Sequence, residues 1–211
     1  PAPSTGLRAG DYDNDGDLDQ ALRQTLTFGP DTSVVRVLRN DGLTFTEVFT
    51  IPQNTVGCCD VSWGDVNGDG FEDIFFGTYS APGGSRFSRV YQSNGDDTFT
   101  EIWANYNIRV LDTYLEDIDG DGDLDQINAE FGRVEFWEND GTGSFTYIDR
   151  IATEGSVHIA LGDYDNDGDL DIVAHGGTNE EHFIARNDGG VVFTPTVFFP
   201  DQLSGTKVQF V

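Results

Sequence analysis

Hydrophobic residues in this chain fall in short runs rather than at helical intervals. Asp73–Tyr79 (DIFFGTY) and the DIVAHGG stretch from Asp171 are brief and rich in β-branched or aromatic residues. Arg89–Ser93 (RVYQS) and Arg133–Trp137 (RVEFW) run into Gly-rich turns and read as hairpin arms. No stretch of about twelve residues or more carries clean 3.6-residue periodicity. The order of features recurs four times: an acidic loop, an apolar run, an Asn-containing Gly turn, then Phe-Thr or its equivalent. Each unit predicts four short strands. In the second unit they fall near Val61–Trp63, Ile74–Thr78, Arg89–Gln92 and Phe99–Trp103, and the acidic loop joins the first two. About 50 residues with four strands is the size of one β-propeller blade. The predicted class is therefore all-β, with residues 1–211 forming a single β-propeller domain or a fragment of one. The repeats fall at approximately 5–55, 56–107, 108–154 and 155–204, and residues 205–211 begin a further one. That last segment, TKVQFV, is patterned like SVHIAL before the fourth acidic loop. The chain thus supplies five first strands but four complete sets, and is expected to be part of a longer propeller or to carry a spare latching strand.

The acidic loops have a fixed grammar. GDYDNDGDLD occurs at Gly10–Asp19 and again at Gly162–Asp171, with relatives GDVNGDGFED at Gly64–Asp73 and EDIDGDGDLD at Glu116–Asp125. Numbering each loop from its first aspartate, positions 1, 3, 5 and 9 are Asp11, Asp13, Asp15 and Asp19 in the first. They are Asp65, Asn67, Asp69 and Asp73 in the second, and Asp117, Asp119, Asp121 and Asp125 in the third. In the fourth they are Asp163, Asp165, Asp167 and Asp171. Oxygens from alternate positions converge on one point when the backbone coils around it, and glycine at position 6 permits the sharp turn. The position-7 carbonyls, of Asp17, Phe71, Asp123 and Asp169, can add another oxygen. Several hard oxygens in a flexible loop suit Ca²⁺ better than Mg²⁺ or a soft metal, so about four Ca²⁺ are expected. The loops are not EF-hands: position 12, where a bidentate Glu belongs, is Leu22, Phe76, Asn128 or Ala174. The second loop alone could pass for a dockerin, but the other units lack that pattern. The bland alternative, Asp/Gly-rich turns without an ion, fits one loop better than four complete copies.

Charge narrows the partners. The chain has 38 acidic and 11 basic residues, a formal net charge of −27. Phosphate backbones and anionic lipid surfaces would be repelled, so neither nucleic acid nor membrane insertion is expected. No apolar run approaches the roughly 18 residues a span needs. The absence of methionine and the start at Pro1 read as a processed or excised chain. Half of all the acids sit in the four loops, which ties the charge to the loops rather than to a uniformly acidic surface.

The four loops with their following Phe-Thr hairpins resemble the FG-GAP and VCBS repeats of integrin α-like β-propellers, over about Leu7–Val211. The resemblance implies Ca²⁺ in the loop between the first two strands of each blade, held by the side chains at positions 1, 3, 5 and 9. It also implies an extracellular, secreted or cell-surface protein serving adhesion, carbohydrate-associated binding or scaffolding. Four repeats depart from the seven blades of integrin-like rings.

Other candidate chemistry is thin. Cys58 and Cys59 are adjacent and allow either a vicinal disulfide or two thiols. His158, His175 and His182 are the only histidines. No G-x-S-x-G or H-E-x-x-H accompanies them, and they read as loop or strand-surface residues. Trp63 reads as core, whereas Trp103 and Trp137 lie on outer strands and could stack on sugars. The expected function is a non-enzymatic calcium-binding module for adhesion or for a protein or glycan ligand. The alternatives are a lectin proper, an accessory or catalytic propeller of a polysaccharide-active enzyme, and a structural subunit that self-assembles through the spare strand.

Overall fold

A computed structural model describes residues 6–25, 33–42, 44–52, 58–79, 87–153, 157–176 and 182–199. They form sixteen strands and no helix. The first blade comprises β1 (Gly6–Gly10), β2 (Asp19–Thr25), β3 (Ser33–Asn40) and β4 (Phe45–Pro52). The second comprises β5 (Cys58–Gly64), β6 (Asp73–Tyr79), β7 (Ser88–Ser93) and β8 (Phe99–Asn105). The third has β9 (Asp112–Glu116), β10 (Asp125–Glu130), β11 (Arg133–Asn139) and β12 (Phe145–Ala152). The fourth has β13 (Val157–Gly162), β14 (Asp171–Gly176), β15 (His182–Asn187) and β16 (Phe193–Phe199). Each set is a four-stranded antiparallel meander paired in chain order. The acidic loop always joins its first strand to its second.

Short β-branched and aromatic segments suit a pleated surface, and tight Gly turns return the chain. The third and fourth strands of every blade slip register at the same place: Val37/Leu38, Val90/Tyr91, Phe136/Trp137 and Ile184/Ala185. Such an irregularity sharpens the local twist, which a blade needs as its strands fan outward.

The blades stack face to face, as propeller blades do. First strands of successive blades pack together, β1 on β5, β5 on β9 and β9 on β13. Three apolar cores lie between them. Tyr12, Val35, Val37, Val61 and Phe76 join the first and second blades. Val66, Phe75, Val90, Val110 and Phe145 join the second and third. Ile118, Ile127, Phe136, Ile172 and Ala174 join the third and fourth. An apolar residue at loop position 2 wedges into each core: Tyr12, Val66 and Ile118 are buried, while Tyr164, its fourth-blade equivalent, is 48% exposed. No core cluster among the described residues joins the fourth blade to the first.

The two faces of a blade differ in character. Every residue of β10 is buried. Ile127 and Ala129 pack toward the fourth blade, whereas Gln126, Asn128 and Glu130 occupy the alternate positions. Gln126 Nε2 and the Thr113 hydroxyl both donate to Asn128 Oδ1, at 2.8 and 3.0 Å. Trp103 and Trp137, candidates for stacking on sugars, are half-buried against the core between the second and third blades. They meet edge to face, with ring centroids 6.2 Å apart. Trp63 packs against the first core, as its place on a first strand suggested. The backbones of Cys58 and Cys59 belong to β5, while their side chains, and the TKVQFV segment, lie outside the described residues.

Candidate metal centres

Each acidic loop is a coil whose carboxylates are held by its own backbone. Position 6 takes a left-handed conformation in all four: Gly16, Gly70, Gly122 and Gly168 have φ between 92° and 101°. A side chain would be strained there, which explains the invariant glycine of the pattern. Position 4 is left-handed as well, and the chain places Asn14, Gly68, Gly120 and Asn166 there, the residue types that tolerate it.

The position-1 carboxylate closes the coil. Asp11 accepts hydrogen bonds from the N–H groups of Asp15 and Gly16, each at 3.1 Å. Asp65 accepts from Asp69 at 3.1 Å and Gly70 at 2.8 Å, and Asp163 from Asp167 at 3.2 Å and Gly168 at 3.1 Å. Asp117 accepts from Gly120 at 2.8 Å and Gly122 at 3.1 Å. Position 5 then accepts from position 7: Asp17 to Asp15 at 2.8 Å, and Phe71 to Asp69, Asp123 to Asp121 and Asp169 to Asp167 at 3.0 Å each. These bonds fix the orientation of the position-1 and position-5 carboxylates.

Position 9 does different work. Asp19, Asp73, Asp125 and Asp171 are fully buried. One oxygen of each accepts the position-2 N–H of its own loop: Tyr12 at 3.2 Å, Val66 at 3.2 Å, Ile118 at 3.3 Å and Tyr164 at 2.6 Å. The other oxygen accepts an N–H at the end of the third strand. The donors are Asn40 at 2.8 Å, Ser93 at 2.9 Å, Asn139 at 2.9 Å and Asn187 at 2.8 Å. The residue is a strut as well as a candidate ligand.

The strand-end Asn or Ser was not singled out by sequence reasoning. Its side chain reaches back to the preceding blade's loop and donates to the position-2 carbonyl there. Ser93 bonds Tyr12 O at 3.2 Å, Asn139 bonds Val66 O at 2.7 Å, and Asn187 bonds Ile118 O at 3.1 Å. The first three acidic loops are thereby stitched to the hairpin of the following blade. The recurring Asn-Asp-Gly at the hairpin was the available signal. Its glycine also makes room: a Cβ on Gly95 would lie 2.6 Å from the Phe71 ring, and one on Gly141 would lie 2.6 Å from Asp123 Oδ2.

Three loops bring acid triples together with one oxygen per residue inside a 4.8 Å sphere of mutual distance: Asp11, Asp13 and Asp15; Asp117, Asp119 and Asp125; Asp163, Asp165 and Asp171. Two oxygens on opposite sides of one Ca²⁺ stand about 4.6–5.2 Å apart, so these spreads fit a single ion. The donors are all hard oxygens, which fits the same metal. The second loop has the amide of Asn67 at position 3 and does not form such a group among its acids. Asp121 and Asp167 at position 5, and Asp19 at position 9 of the first loop, stand outside the three triples.

The buried position-9 carboxyls titrate high. Burial pushes Asp19 and Asp125 up to about 6 and Asp73 up to about 7, against the backbone hydrogen bonds that pull the other way. Neighbouring loop carboxylates raise them further. A carboxyl with a higher pKa in the fold than in the open chain contributes stability that is complete below about 4 and lost as pH rises through the folded value. The metal-free protein is therefore expected to melt at a higher temperature at pH 5 than at pH 8. The increment given by calcium should grow over the same interval. Calorimetry at the two pH values, with and without the ion, checks both signs, and a calcium increment larger at pH 5 would contradict them.

Comparison with known proteins places this geometry. The FG-GAP-like repeat model matches residues 11–76 and 117–174, more than half of the chain. No curated protein sequence matches. Among solved structures, the chain is similar to an Agrocybe aegerita lectin, described in terms of specific recognition of non-reducing terminal N-acetylglucosamine. That match has 18% identity and a TM-score of 0.55, and covers 92% of this chain. The chain spans 65% of that lectin's length, and the likeness is one of fold. A looser match is to a chain of the Photorhabdus luminescens Tc holotoxin pore, with 16% identity and a TM-score of 0.42 over 86% of this chain and 11% of that one.

Proposed function

Because the chain belongs to the FG-GAP-like repeat family, we propose that it is a calcium-stabilised propeller module that presents its loops to a protein or glycan ligand outside the cell. The observation that carries this reading is the convergence of three carboxylates in each of three loops at ion-sized spacing. When bound, the ion supplies positive charge at the centre of each loop. The chain's own residues do the rest. Position-1 and position-5 carboxylates are pre-aimed by backbone N–H groups. The position-9 strut couples the loop to the third strand, and the strand-end Asn or Ser couples it to the neighbouring blade. Filling a loop thus stiffens an interface between blades, as a scaffold for a rigid binding face requires. The role is proposed as binding rather than catalysis.

A glycan is the second reading's more specific ligand. The similar fold of a sugar-recognising lectin supports it, as do exposed aromatic rings. Tyr106 and Tyr147 are exposed, and Tyr147 lies edge to face against Trp137 with centroids 5.4 Å apart. Such rings can stack on sugar faces. A glycan array probed in calcium and in EDTA tests the reading. Calcium-dependent binding that is lost in Tyr147→Ala supports it, and an array silent in millimolar calcium refutes the glycan ligand.

A further inference from the structure

Three joints between blades are built alike, and the two ends of the stack carry the halves of a fourth. In each joint the earlier blade offers its loop. The position-2 side chain wedges into the shared core, and the position-2 carbonyl accepts from the next hairpin. The later blade offers its strand-end Asn or Ser and the Phe that opens its fourth strand. Phe99, Phe145 and Phe193 pack against the three cores in turn. Phe99 meets the Tyr12 ring with centroids 5.3 Å apart.

Among the described residues no blade precedes the first, and its half of the joint is bare. Leu7 and Phe45 are each 49% exposed and Leu18 is 61% exposed. In later blades the same places are covered. Val61, Thr113 and Ile159 stand where Leu7 does and are buried. Leu124 and Leu170 stand where Leu18 does and pack against the core shared with the preceding blade. Asn40 is already posed for its bond. Its Oδ1 accepts the Gly42 N–H at 3.0 Å and its Nδ2 donates to Leu18 O at 3.1 Å. Asn139 makes the same two bonds, to Gly143 and Leu124, and a third to Val66 O of the preceding blade. Asn40 makes no such third bond among the described residues. At the other end, the fourth loop repeats the first letter for letter. Its Tyr164 ring is exposed where Tyr12 is buried, and no donor among the described residues reaches Tyr164 O.

We propose that these two halves meet between two copies of the chain, head to tail, closing one ring of eight blades. Tyr164 of one copy packs on the partner's Phe45 as Tyr12 packs on Phe99, and the partner's Asn40 donates to Tyr164 O. The contact continues a joint that the chain already makes three times, so it needs no new chemistry. It runs face to face between blades rather than through a strand edge. Exposed apolar side chains gathered at one place mark such a surface. A head-to-tail contact closes when its rotation allows. Propellers hold about four to eight blades, so two copies reach that limit and three exceed it. Both ends of each copy are then covered. The net charge of −27 on each chain opposes the contact, and salt screens that repulsion. Tyr164, Phe45 and Asn40 lie outside the candidate ligand positions, so the contact is independent of the calcium reading.

Sedimentation equilibrium of the full chain, in millimolar calcium and physiological salt, should give twice the 23.1 kDa of one chain. Tyr164→Arg at one end and Phe45→Arg at the other should each reduce the mass to that of a single chain. Both side chains are exposed in the single chain, so each variant should keep its fold, which circular dichroism checks. Should Phe45→Arg fail to fold, Leu18→Arg tests the same half. An equimolar mixture of the two variants should recover the dimer mass, with weaker association than the parent, because one of the two joints then has both parent halves. In a like-to-like dimer one variant would stay paired by itself. A parent that stays a single chain at every concentration overturns the proposal. So does a dimer that survives either substitution, or a mixture that stays monomeric.

Discussion

Stripping calcium from the protein should lower its melting temperature by roughly 10–20 °C. Extracellular calcium modules bind with Kd on the order of 0.1–1 mM. At about ten times Kd, each site adds about 1.4 kcal/mol, and four sites roughly 6 kcal/mol. For a chain of this size, 1 kcal/mol moves the midpoint by about 2–4 °C. The sign is secure on electrostatic grounds as well. Half of the 38 acids crowd into four short loops, and the net charge is −27, so the metal-free fold works against its own repulsion. Calorimetry in calcium and in EDTA measures the shift. Magnesium, which demands tighter octahedral geometry, should restore little of it. Coincident melts would mean that the loops fold as plain turns.

The second large effect separates strut from ligand. Asp125→Ala is expected to destabilise the protein by about 2–5 kcal/mol whether or not calcium is present. Its two oxygens accept the N–H groups of Ile118 and Asn139, both buried. Each donor left without an acceptor costs about 1–3 kcal/mol. Asp121→Ala, at position 5, removes an acceptor for the exposed Asp123 N–H and a candidate ligand. It should cost stability chiefly in calcium, by about one site's increment of ~1.4 kcal/mol. Urea midpoints of the two variants in calcium and in EDTA give four numbers. Asp125→Ala matching the parent in EDTA would show that the position-9 carboxylate acts through the ion alone.

These two substitutions mark where the sequence could be read and where it could not. The strands were legible because short apolar runs and Gly turns are local signals, and the spacing D-x-[DN]-x-D-G-x-x-D is itself a coil in outline. The division of labour inside that spacing was not legible. Position 9 looks like any other loop aspartate. Its role depends on the ends of the third strands at Asn40, Ser93, Asn139 and Asn187, which reach it only after the hairpin has folded. The buried polar column Gln126, Asn128 and Glu130 also escaped notice. Alternating apolar and polar residues read as a half-exposed strand, but a blade is covered on both faces, and here its polar face is covered too. Trp103 and Trp137 were candidates for sugar stacking because strand position does not say which neighbour a ring will meet. They meet each other.

The central claim is that the acidic loops close around calcium. Titration of the metal-stripped chain with Ca²⁺, followed by calorimetry, tests it most directly. The account predicts saturable binding of about four ions per chain, with Kd on the order of 0.1–1 mM. A titration that shows no saturable calcium uptake up to several millimolar would contradict it.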